Sequence, residues 1–185
     1  FGIAKNPEAF VEHGSQFDYY NGAGVDVTFM GMAEADEYGN VNVSKFGGRA
    51  VGCGGFIDIT QPAKKVVFLA TFTTGGLEVE IRDGQLHIVK EGKLKKFVRQ
   101  VGQITFSGKY ARLRQQPVFY VTERAVFRLT EEGMMLVEYA PGVDVEKDIL
   151  AQMDFKPIIS PDLKPMRKEI FEDASMRFKE LFYSK

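Results

Sequence analysis

The segment Lys64–Phe72 constrains the fold most strongly, because an unbroken apolar run, Val66–Ala70, lies at its centre. A strand with one face in water alternates apolar and polar residues, whereas a strand covered on both faces shows a continuous apolar run. Val118–Val121 is a second apolar segment. Helices packed on both faces of a sheet are typical of α/β proteins, so the sequence predicts an open, layered, mixed β-sheet flanked by helices.

Alternating or β-rich stretches predict further strands. These stretches are Val25–Met30, Val41–Val43, Leu77–Ile81, Leu86–Val89, Phe97–Phe106, Ala125–Leu129 and Met134–Tyr139. The pair Asp83-Gly84 separates two of them and is a strong signal for a β-hairpin. We therefore expect a β-hairpin excursion from the sheet near residues 77–106.

Two helices are predicted towards the end of the chain. Asp144–Met153 carries apolar residues at helical spacing and begins with a residue suited to capping. Met166–Tyr183 carries a longer apolar stripe of the same period. Prolines punctuate the segment between them, at Pro157, Pro161 and Pro165.

Composition limits the class of protein. The chain has 185 residues, of which 44% are hydrophobic and 26% charged, as expected of one globular domain with its own core. The formal net charge is −1, which argues against a strongly basic nucleic-acid binder. No apolar run approaches about 18 residues, so we expect no membrane span.

The single cysteine, Cys53, excludes an internal disulfide and fits the reducing cytoplasm. Together with only two histidines it argues against a structural zinc site, and we expect no metal. The chain begins with Phe1 rather than Met and shows no signal-peptide pattern. We expect it to be a piece of a longer protein or a processed subunit.

The densest glycine cluster, Gly47–Phe56, is a candidate ligand site. Glycines let the backbone approach a ligand, and N–H groups outside a β-ladder can stabilise an anion or a developing oxyanion. A tight, closely packed connection explains the same glycines without a ligand. Small size is the simpler explanation for Cys53 in this cluster, since a catalytic thiol needs a base.

A second cluster, Gly22–Gly24, invites a dinucleotide-binding interpretation. The third glycine of that motif would fall at Val27, and the segment precedes a strand instead of opening a helix. Both facts disfavour this interpretation.

The pair Glu123-Arg124 follows an apolar strand and is either a local salt bridge or a site pair at a sheet edge. The basic stretch Lys90–Lys96 is a solvated hairpin end or a contact for an anionic cofactor tail.

Several motifs in order along the chain resemble those of the family I CoA-transferases. They are Phe29–Gly47, Gly52–Ile59, Val66–Val79, Val121–Phe127 and Ala140–Asp144. The resemblance covers about residues 1–160, and the branch that it indicates is the single-chain acetate/propionate (short-chain acyl) CoA-transferases. It implies two similar open α/β domains, of which residues 1–185 resemble the C-terminal one.

The resemblance also implies a reaction, in which a glutamate attacks an acyl-CoA and carries CoA as a glutamyl-CoA thioester to a second carboxylate. In the family that glutamate lies in a Glu-x-Gly motif upstream of the matching segment. Neither Glu91-Gly92 nor Glu132-Gly133 matches it. We therefore expect this chain alone to be inactive, with coenzyme A as a substrate of the whole enzyme and no permanently bound cofactor.

Two candidate catalytic residues follow from the resemblance. Gly55 matches the glycine whose backbone N–H helps to form the oxyanion hole, a donor worth roughly 2.7–4 kcal/mol. Asn6 resembles an asparagine whose amide is the second donor, although an Asn-Pro turn also explains it. The family often has Gln-Gly at Arg124-Ala125, which leaves the role of that pair open. The candidate CoA-binding residues are Gly52, Gly54, Gly55, Phe56, Glu123 and Arg124.

The partners implied are an N-terminal CoA-transferase domain, acyl-CoA and carboxylate substrates, and further copies of the chain in a homo-oligomer. Nucleic acid and membrane are not expected. The alternative function is a non-catalytic binding or assembly module of α/β type, in which the glycine cluster only packs.

Overall fold

The computed structural model describes residues 4–22 and 24–172. Its strands in chain order are β1 (Thr28–Gly31), β2 (Glu34–Asp36), β3 (Val41–Asn42), β4 (Lys45–Phe46), β5 (Arg49–Ala50), β6 (Val66–Leu69), β7 (Thr73–Thr74), β8 (Glu78–Arg82), β9 (Gln85–Lys90), β10 (Leu94–Lys95), β11 (Phe97–Val98), β12 (Val118–Val121), β13 (Ala125–Leu129), β14 (Met134–Tyr139) and β15 (Ile158–Pro165). Its helices are α1 (His13–Gly22), α2 (Phe56–Thr60) and α3 (Gly108–Leu113), with shorter helical turns at Val145–Ile149, Leu150–Gln152 and Lys168–Phe171.

A central sheet organises the described part of the chain, with six strands in the order β1-β6-β12-β13-β14-β15. Strands β1, β6 and β12 are parallel, and β15 is parallel to β14. Strand β13 runs antiparallel to both of its neighbours. This is the open, mixed sheet that the sequence predicts.

One face of the central sheet carries the core. Phe68 at its centre stacks on Phe56 of α2 and on Tyr120 of β12, with ring centroids 5.8 and 5.5 Å away. Burying one such side chain stabilises the fold by roughly 1.5–3 kcal/mol. Other sheet side chains without exposed surface on this face are Val66, Val118, Phe127 and Leu136. Phe56 therefore fixes α2 firmly to the sheet.

The opposite face of the sheet is only partly covered by the described residues. Phe29 and Leu69 lie on this face with 64% and 45% of their surface exposed. Towards β12 and β13 the face is covered by the hairpin β8–β9 and by the turn Lys168–Phe171. A cavity of about 640 Å³ lies there, and its lining includes Val121 and Val126 of the sheet.

The predicted hairpin is confirmed as β8–β9. Asp83 and Gly84 form its turn with φ of 54° and 71°, the left-handed values that a two-residue type I′ turn requires. The predicted strand Phe97–Phe106 is interrupted after Val98, and at its far end only Phe106 pairs, in an isolated antiparallel bridge with Val41. Backbone N–H groups of Val101 and Gly102 donate to the carboxylates of Asp36 and Glu34 at 3.5 and 3.1 Å, so side chains replace a strand partner there.

The helix predicted at Asp144–Met153 is confirmed in position, but its turns are not α-helical. The Asp144 side chain accepts a hydrogen bond from the Lys147 N–H at 2.8 Å and caps it. The chain then winds as a π-helical turn, Val145–Ile149, and a 3₁₀ turn, Leu150–Gln152.

The helix predicted at Met166–Tyr183 is wrong at its start. Met166 instead donates its N–H to the Tyr139 carbonyl oxygen at 2.7 Å, and only Lys168–Phe171 forms a 3₁₀ turn. The remainder, residues 173–183, lies outside the described residues. The proline-punctuated segment before it forms the edge strand β15, where a missing N–H is tolerated.

Candidate active site

Gly55, Glu123 and Arg124 lie towards the carboxyl ends of the parallel strands in the central sheet. The carboxyl ends of the parallel strands β1, β6 and β12 meet at one edge of the sheet, and Glu123 follows β12 there. At the other edge, Gln116 precedes β12 and donates to the carbonyl oxygen of Thr60, the last residue of α2, at 2.9 Å. The first turn of α2, with Gly55 as its N-cap, therefore points towards the carboxyl edge, where ligands bind in open α/β sheets.

The glycine cluster divides into two structures. Gly47 and Gly48, with φ of 54° and 79°, form the turn between the paired strands β4 and β5. This pair serves a tight turn, as the ligand-free interpretation requires. Gly52 and Gly54, with φ of 86° and 52°, lie exposed in the connection to α2. Left-handed backbone of this kind favours glycine. The Gly52 N–H donates to the Ser44 carbonyl oxygen at 3.3 Å, whereas the Gly54 N–H meets no acceptor among the described residues.

Gly55 differs from its neighbours because its backbone is open to any residue, with φ of −84°. Its glycine identity is explained by space. A Cβ built on Gly55 would lie 2.3 Å from the Cε1 atom of Phe17 in α1. Within residues 4–22 and 24–172 the Gly55 N–H meets no hydrogen-bond acceptor, and no side chain caps the helix. A free N–H at a helix start is suited to an anionic oxygen.

The other members of the predicted set are placed less uniformly. Phe56 is buried in the core, so its ring anchors α2 and does not face a ligand. Cys53 is a free, half-buried thiol. Asn6 lies exposed before α1 with φ of 52°, and its side chain makes no hydrogen bond to the described residues. No hydrogen bond therefore holds Asn6 beside Gly55.

Arg124 is fully buried and holds a network of charges. Its Nε donates to Glu123 at 2.7 Å, while Nη1 and Nη2 donate to the two oxygens of Glu91 at 2.6 and 3.2 Å. Nη1 also donates to the Asp148 carbonyl oxygen at 3.0 Å, and the guanidinium carbon lies 4.9 Å from the centre of the Phe72 ring. The salt-bridge interpretation of Glu123-Arg124 is thus confirmed.

Glu91 is the partner that sequence reasoning missed, because 33 residues separate it from Arg124. Burial opposes its ionisation, but hydrogen bonds from Arg124 and Thr73 and the positive charge of Arg124 hold the pKa of Glu91 below its usual range. The Gly92 N–H donates to the same carboxylate at 3.0 Å. Glu91 therefore belongs to the charge network of Arg124.

Glu123 faces both the network and the cavity. One carboxylate oxygen accepts from the Phe72 N–H at 2.8 Å, which joins the end of β6 to the end of β12. The same residue lines the 640 Å³ cavity. Lys96 is half-buried near Glu123; burial lowers the pKa of Lys96, and the negative charge of Glu123 opposes this.

Two exposed lysines of the basic stretch form ion pairs at the surface, which favours the solvated interpretation for them. Lys90 bonds Glu78 at 2.9 Å and Lys95 bonds Asp154 at 3.0 Å. In the part of the chain that the structure describes, no cluster of His, Cys, Asp and Glu side chains is arranged to hold a metal ion. None of the helices within the described ranges is long and apolar enough to cross a membrane.

Comparisons with curated proteins identify relatives of this chain, although no family model matches it. It is 53% identical over 178 residues to an acetate CoA-transferase, YdiF, of Escherichia coli K12, covering 96% of this chain and 34% of the relative. It is 53% identical to a caffeate CoA-transferase of Acetobacterium woodii, covering 94% and 34%. An acetate CoA-transferase subunit beta of Haemophilus influenzae is 30% identical, covering 90% and 64%.

The chain is homologous to part of the CoA-transferases. It spans about a third of the length of the first two relatives. The crystal structure of the YdiF acyl-CoA transferase apoenzyme from Escherichia coli O157:H7 matches with a TM-score of 0.89 at 54% identity, over 91% of this chain and 33% of that one. A thioester complex of the same enzyme with CoA also matches with a TM-score of 0.89, at 53% identity over 94% and 34%.

A glutaconate CoA-transferase of Acidaminococcus fermentans shares the fold alone, with a TM-score of 0.59 at 20% identity over 84% of this chain and 58% of that one. The predicted CoA-transferase type of fold is therefore confirmed.

Proposed function

We propose that residues 1–185 are the C-terminal domain of a family I acyl-CoA:carboxylate CoA-transferase. The whole enzyme moves CoA between short-chain carboxylic acids such as acetate and propionate, through a glutamyl-CoA thioester on an upstream segment. Support comes from 53% identity, over 96% of this chain, to an acetate CoA-transferase about three times as long. This chain contributes the oxyanion-hole and CoA-site elements and is inactive without the upstream glutamate.

The unpaired N–H of Gly55 is the observation that carries this proposal. It lies at the start of α2, towards the carboxyl edge of the sheet, and has no acceptor among the described residues. When a glutamate attacks an acyl-CoA, the carbonyl oxygen becomes an anion, and a donor about 3 Å from it stabilises that charge. Asn6, whose amide has no partner in the described part of the chain, is proposed as the second donor.

Coenzyme A is proposed as a substrate that is not permanently bound. The Gly54 N–H, which meets no acceptor in the described part of the chain, is suited to its polar groups, and exposed Gly52 with Gly55 and Phe56 completes that segment. Arg124 is buried and bound to the carboxylates of Glu91 and Glu123, so we assign it to holding Glu123 in place at the cavity. The single free Cys53 is consistent with a cytoplasmic enzyme.

The proposed partner is the remaining part of the polypeptide, which the longer relatives possess. Parallel strands are normally covered on both faces, yet Phe29 and Leu69 of the parallel strands β1 and β6 are exposed. A covering of amphipathic helices from that upstream part would bury this apolar face. We propose that these units assemble further into a homo-oligomer.

The proposal is tested on the full-length protein that contains this chain. We expect CoA exchange between acetyl-CoA and propionate, and a glutamyl-CoA adduct on an upstream peptide detectable by mass spectrometry. Absence of both would support the alternative, a binding or assembly module.

The role of Gly55 needs a variant that removes its N–H without striking Phe17. In a Phe17→Ala background there is room for a larger residue at position 55. Gly55→Pro then removes the backbone N–H, and the φ of Gly55 is close to the value that proline requires. Gly55→Ala keeps the N–H. We expect the proline variant to lose about 100-fold or more in kcat relative to the alanine variant. Equal kcat in the two would contradict the role of this N–H.

A further inference from the structure

The cavity of about 640 Å³ has a floor made by one row of residues across the central sheet. Val121 of β12 lies opposite Val126 of β13, and Val126 lies opposite Glu138 of β14. All three residues line the cavity, together with residues of the hairpin β8–β9 and of the turn Lys168–Phe171. Small-molecule sites in proteins have volumes of about 300–1,000 Å³. The cavity is therefore of a size that admits a small ligand.

The hairpin that covers the cavity is fastened to the sheet at both of its ends. Close to the hairpin turn, the Leu86 N–H donates to the carbonyl oxygen of Pro141, which follows β14, at 2.8 Å. Beyond β9, the Glu91 carboxylate accepts from Arg124 at 2.6 Å. These two contacts fix the hairpin in place over the floor. The cavity is therefore formed before a ligand arrives, so binding does not have to order its walls.

The walls of the cavity carry apolar side chains that remain exposed. Val79 and Ile81 alternate along β8 and so share the face that lines the cavity, yet they are 38% and 52% exposed. Ile170, in the turn on the other side, is 49% exposed. Exposed apolar side chains around a concave site are typical of ligand sites, because a ligand removes them from water. These walls fit a ligand with an apolar body.

The charged residues that line the cavity are both acidic, Glu123 and Glu138. An oxygen of Glu138 lies 3.4 Å from Nζ of Lys164, whose side chain is 68% exposed, and this carboxylate accepts no hydrogen bond from the described residues. Exposed ion pairs of this kind are weak, so Glu138 can exchange Lys164 for another cation. A ligand carboxylate or phosphate would meet two like charges here, whereas an ammonium group finds an acceptor.

We propose that this cavity binds a small organic cation, a primary amine with an apolar body. The apolar body lies between the β8 wall and the floor residues Val121 and Val126, and the ammonium group donates to Glu138. Glu123 adds a second negative charge at the same cavity. The inference goes beyond the transfer of CoA and does not depend on it, because binding an amine involves no acyl transfer.

Isothermal titration calorimetry on the full-length protein tests the charge of the ligand first. The probes are phenethylamine and its neutral counterpart, phenethyl alcohol, which has the same apolar body. We expect the amine to bind with a Kd below about 1 mM and about tenfold more tightly than the alcohol, because hydrogen bonds between charged groups exceed those of neutral ones. Equal Kd values for the two probes, or no binding of the amine, would overturn the inference.

Variants then test whether the amine lies in the cavity. Glu138→Gln removes the acceptor charge and should weaken phenethylamine about tenfold while leaving phenethyl alcohol unchanged. Glu131→Gln is the matched control, because it removes an exposed carboxylate from the turn between β13 and β14. Val79→Phe fills part of the cavity with a ring and should weaken both probes severalfold. Its control is Val89→Phe on β9, at a position that is 52% exposed and does not line the cavity.

Melting temperatures establish that each variant is folded before it is titrated. Should Glu138→Gln fail to fold, Glu138→Asp takes its place, since it shortens the acceptor side chain by one methylene, with an expected loss of severalfold. Unchanged affinity for phenethylamine in both cavity variants would place the amine elsewhere and overturn the inference. CoA exchange by the same preparation is measured separately, and its absence would contradict the proposed function alone.

Discussion

Arg124 and Glu91 form a two-bond ion pair, at 2.6 and 3.2 Å, that joins the end of β12 to the end of the hairpin β8–β9. The guanidinium has no exposed surface, whereas the carboxylate is 28% exposed. A buried cation is tolerated only when its charge is compensated and its donors are satisfied. Glu123 and the Asp148 carbonyl oxygen supply the remaining acceptors, so the excursion and the sheet edge are held together by one residue.

Removal of Arg124 is predicted to be strongly destabilising. Arg124→Met leaves Glu91 and Glu123 partly buried without their counter-charge, and breaking such a pair costs about 3–5 kcal/mol. Lys90→Met is the matched control, because it removes an ion pair to Glu78 that is more than half exposed and worth about 0–1 kcal/mol. Urea unfolding of the chain, followed by circular dichroism, measures both. Similar losses in the two variants would contradict the assignment.

The pH dependence of stability is predicted to report Glu91. Its pKa in the folded chain lies below the ordinary value of 4.5, so its contribution is fully present above that value. The contribution is lost as the pH falls through the folded pKa. The Glu91→Gln variant has no carboxylate to protonate at this position. Its melting temperature should therefore be lower than that of the wild type near neutral pH and should fall less steeply below about pH 4.5. Melting curves from about pH 6 to pH 3 test this, and parallel curves would exclude it.

Local signals allowed the central strands and the hairpin to be predicted. The apolar run Val66–Ala70 and the dipeptide Asp83-Gly84 act over a few residues, and β6 and the β8–β9 turn follow from them. Strand β15 was missed because its prolines argue against a central strand, whereas an edge strand tolerates them. Helix α1 was missed because it is polar and contacts the fold through few side chains, so its sequence shows no apolar stripe.

The candidate site was only partly predictable, for a physical reason. Gly55 was found through its motif, but the cause of its glycine identity is Phe17, 38 residues earlier in the chain. The partner of Arg124 is likewise distant in sequence. Contacts of this kind are made by tertiary packing, and a single sequence carries no periodic signal for them. The resemblance located the segment, whereas the structure explains why these residue types occupy it.

Gly92 is predicted to tolerate no side chain. A Cβ at this position would lie 2.6 Å from both the Thr73 hydroxyl and the Thr74 carbonyl oxygen, where the chain crosses β7. Gly92→Ala should therefore cost about 1–3 kcal/mol through overpacking and displace Glu91 from Arg124. Gly31→Ala is the control, since nothing lies within 4 Å of its added Cβ. Its effect should stay within about 0.5 kcal/mol in urea unfolding, and an equal cost at both positions would refute the steric argument.

The exposed apolar face of the sheet is predicted to matter only when the rest of the enzyme is present. Phe29 is 64% exposed in this chain, so Phe29→Ala should change the stability of the isolated chain by less than about 0.5 kcal/mol. In the full-length protein the same side chain is expected to be buried, and its loss should cost about 3–5 kcal/mol. Phe10→Ala, at a position 90% exposed and outside the sheet, is the control for both proteins. The shift in melting temperature caused by Phe29→Ala is measured in the isolated chain and in the full-length protein. An equal shift in both would mean that nothing covers this face in the full-length protein.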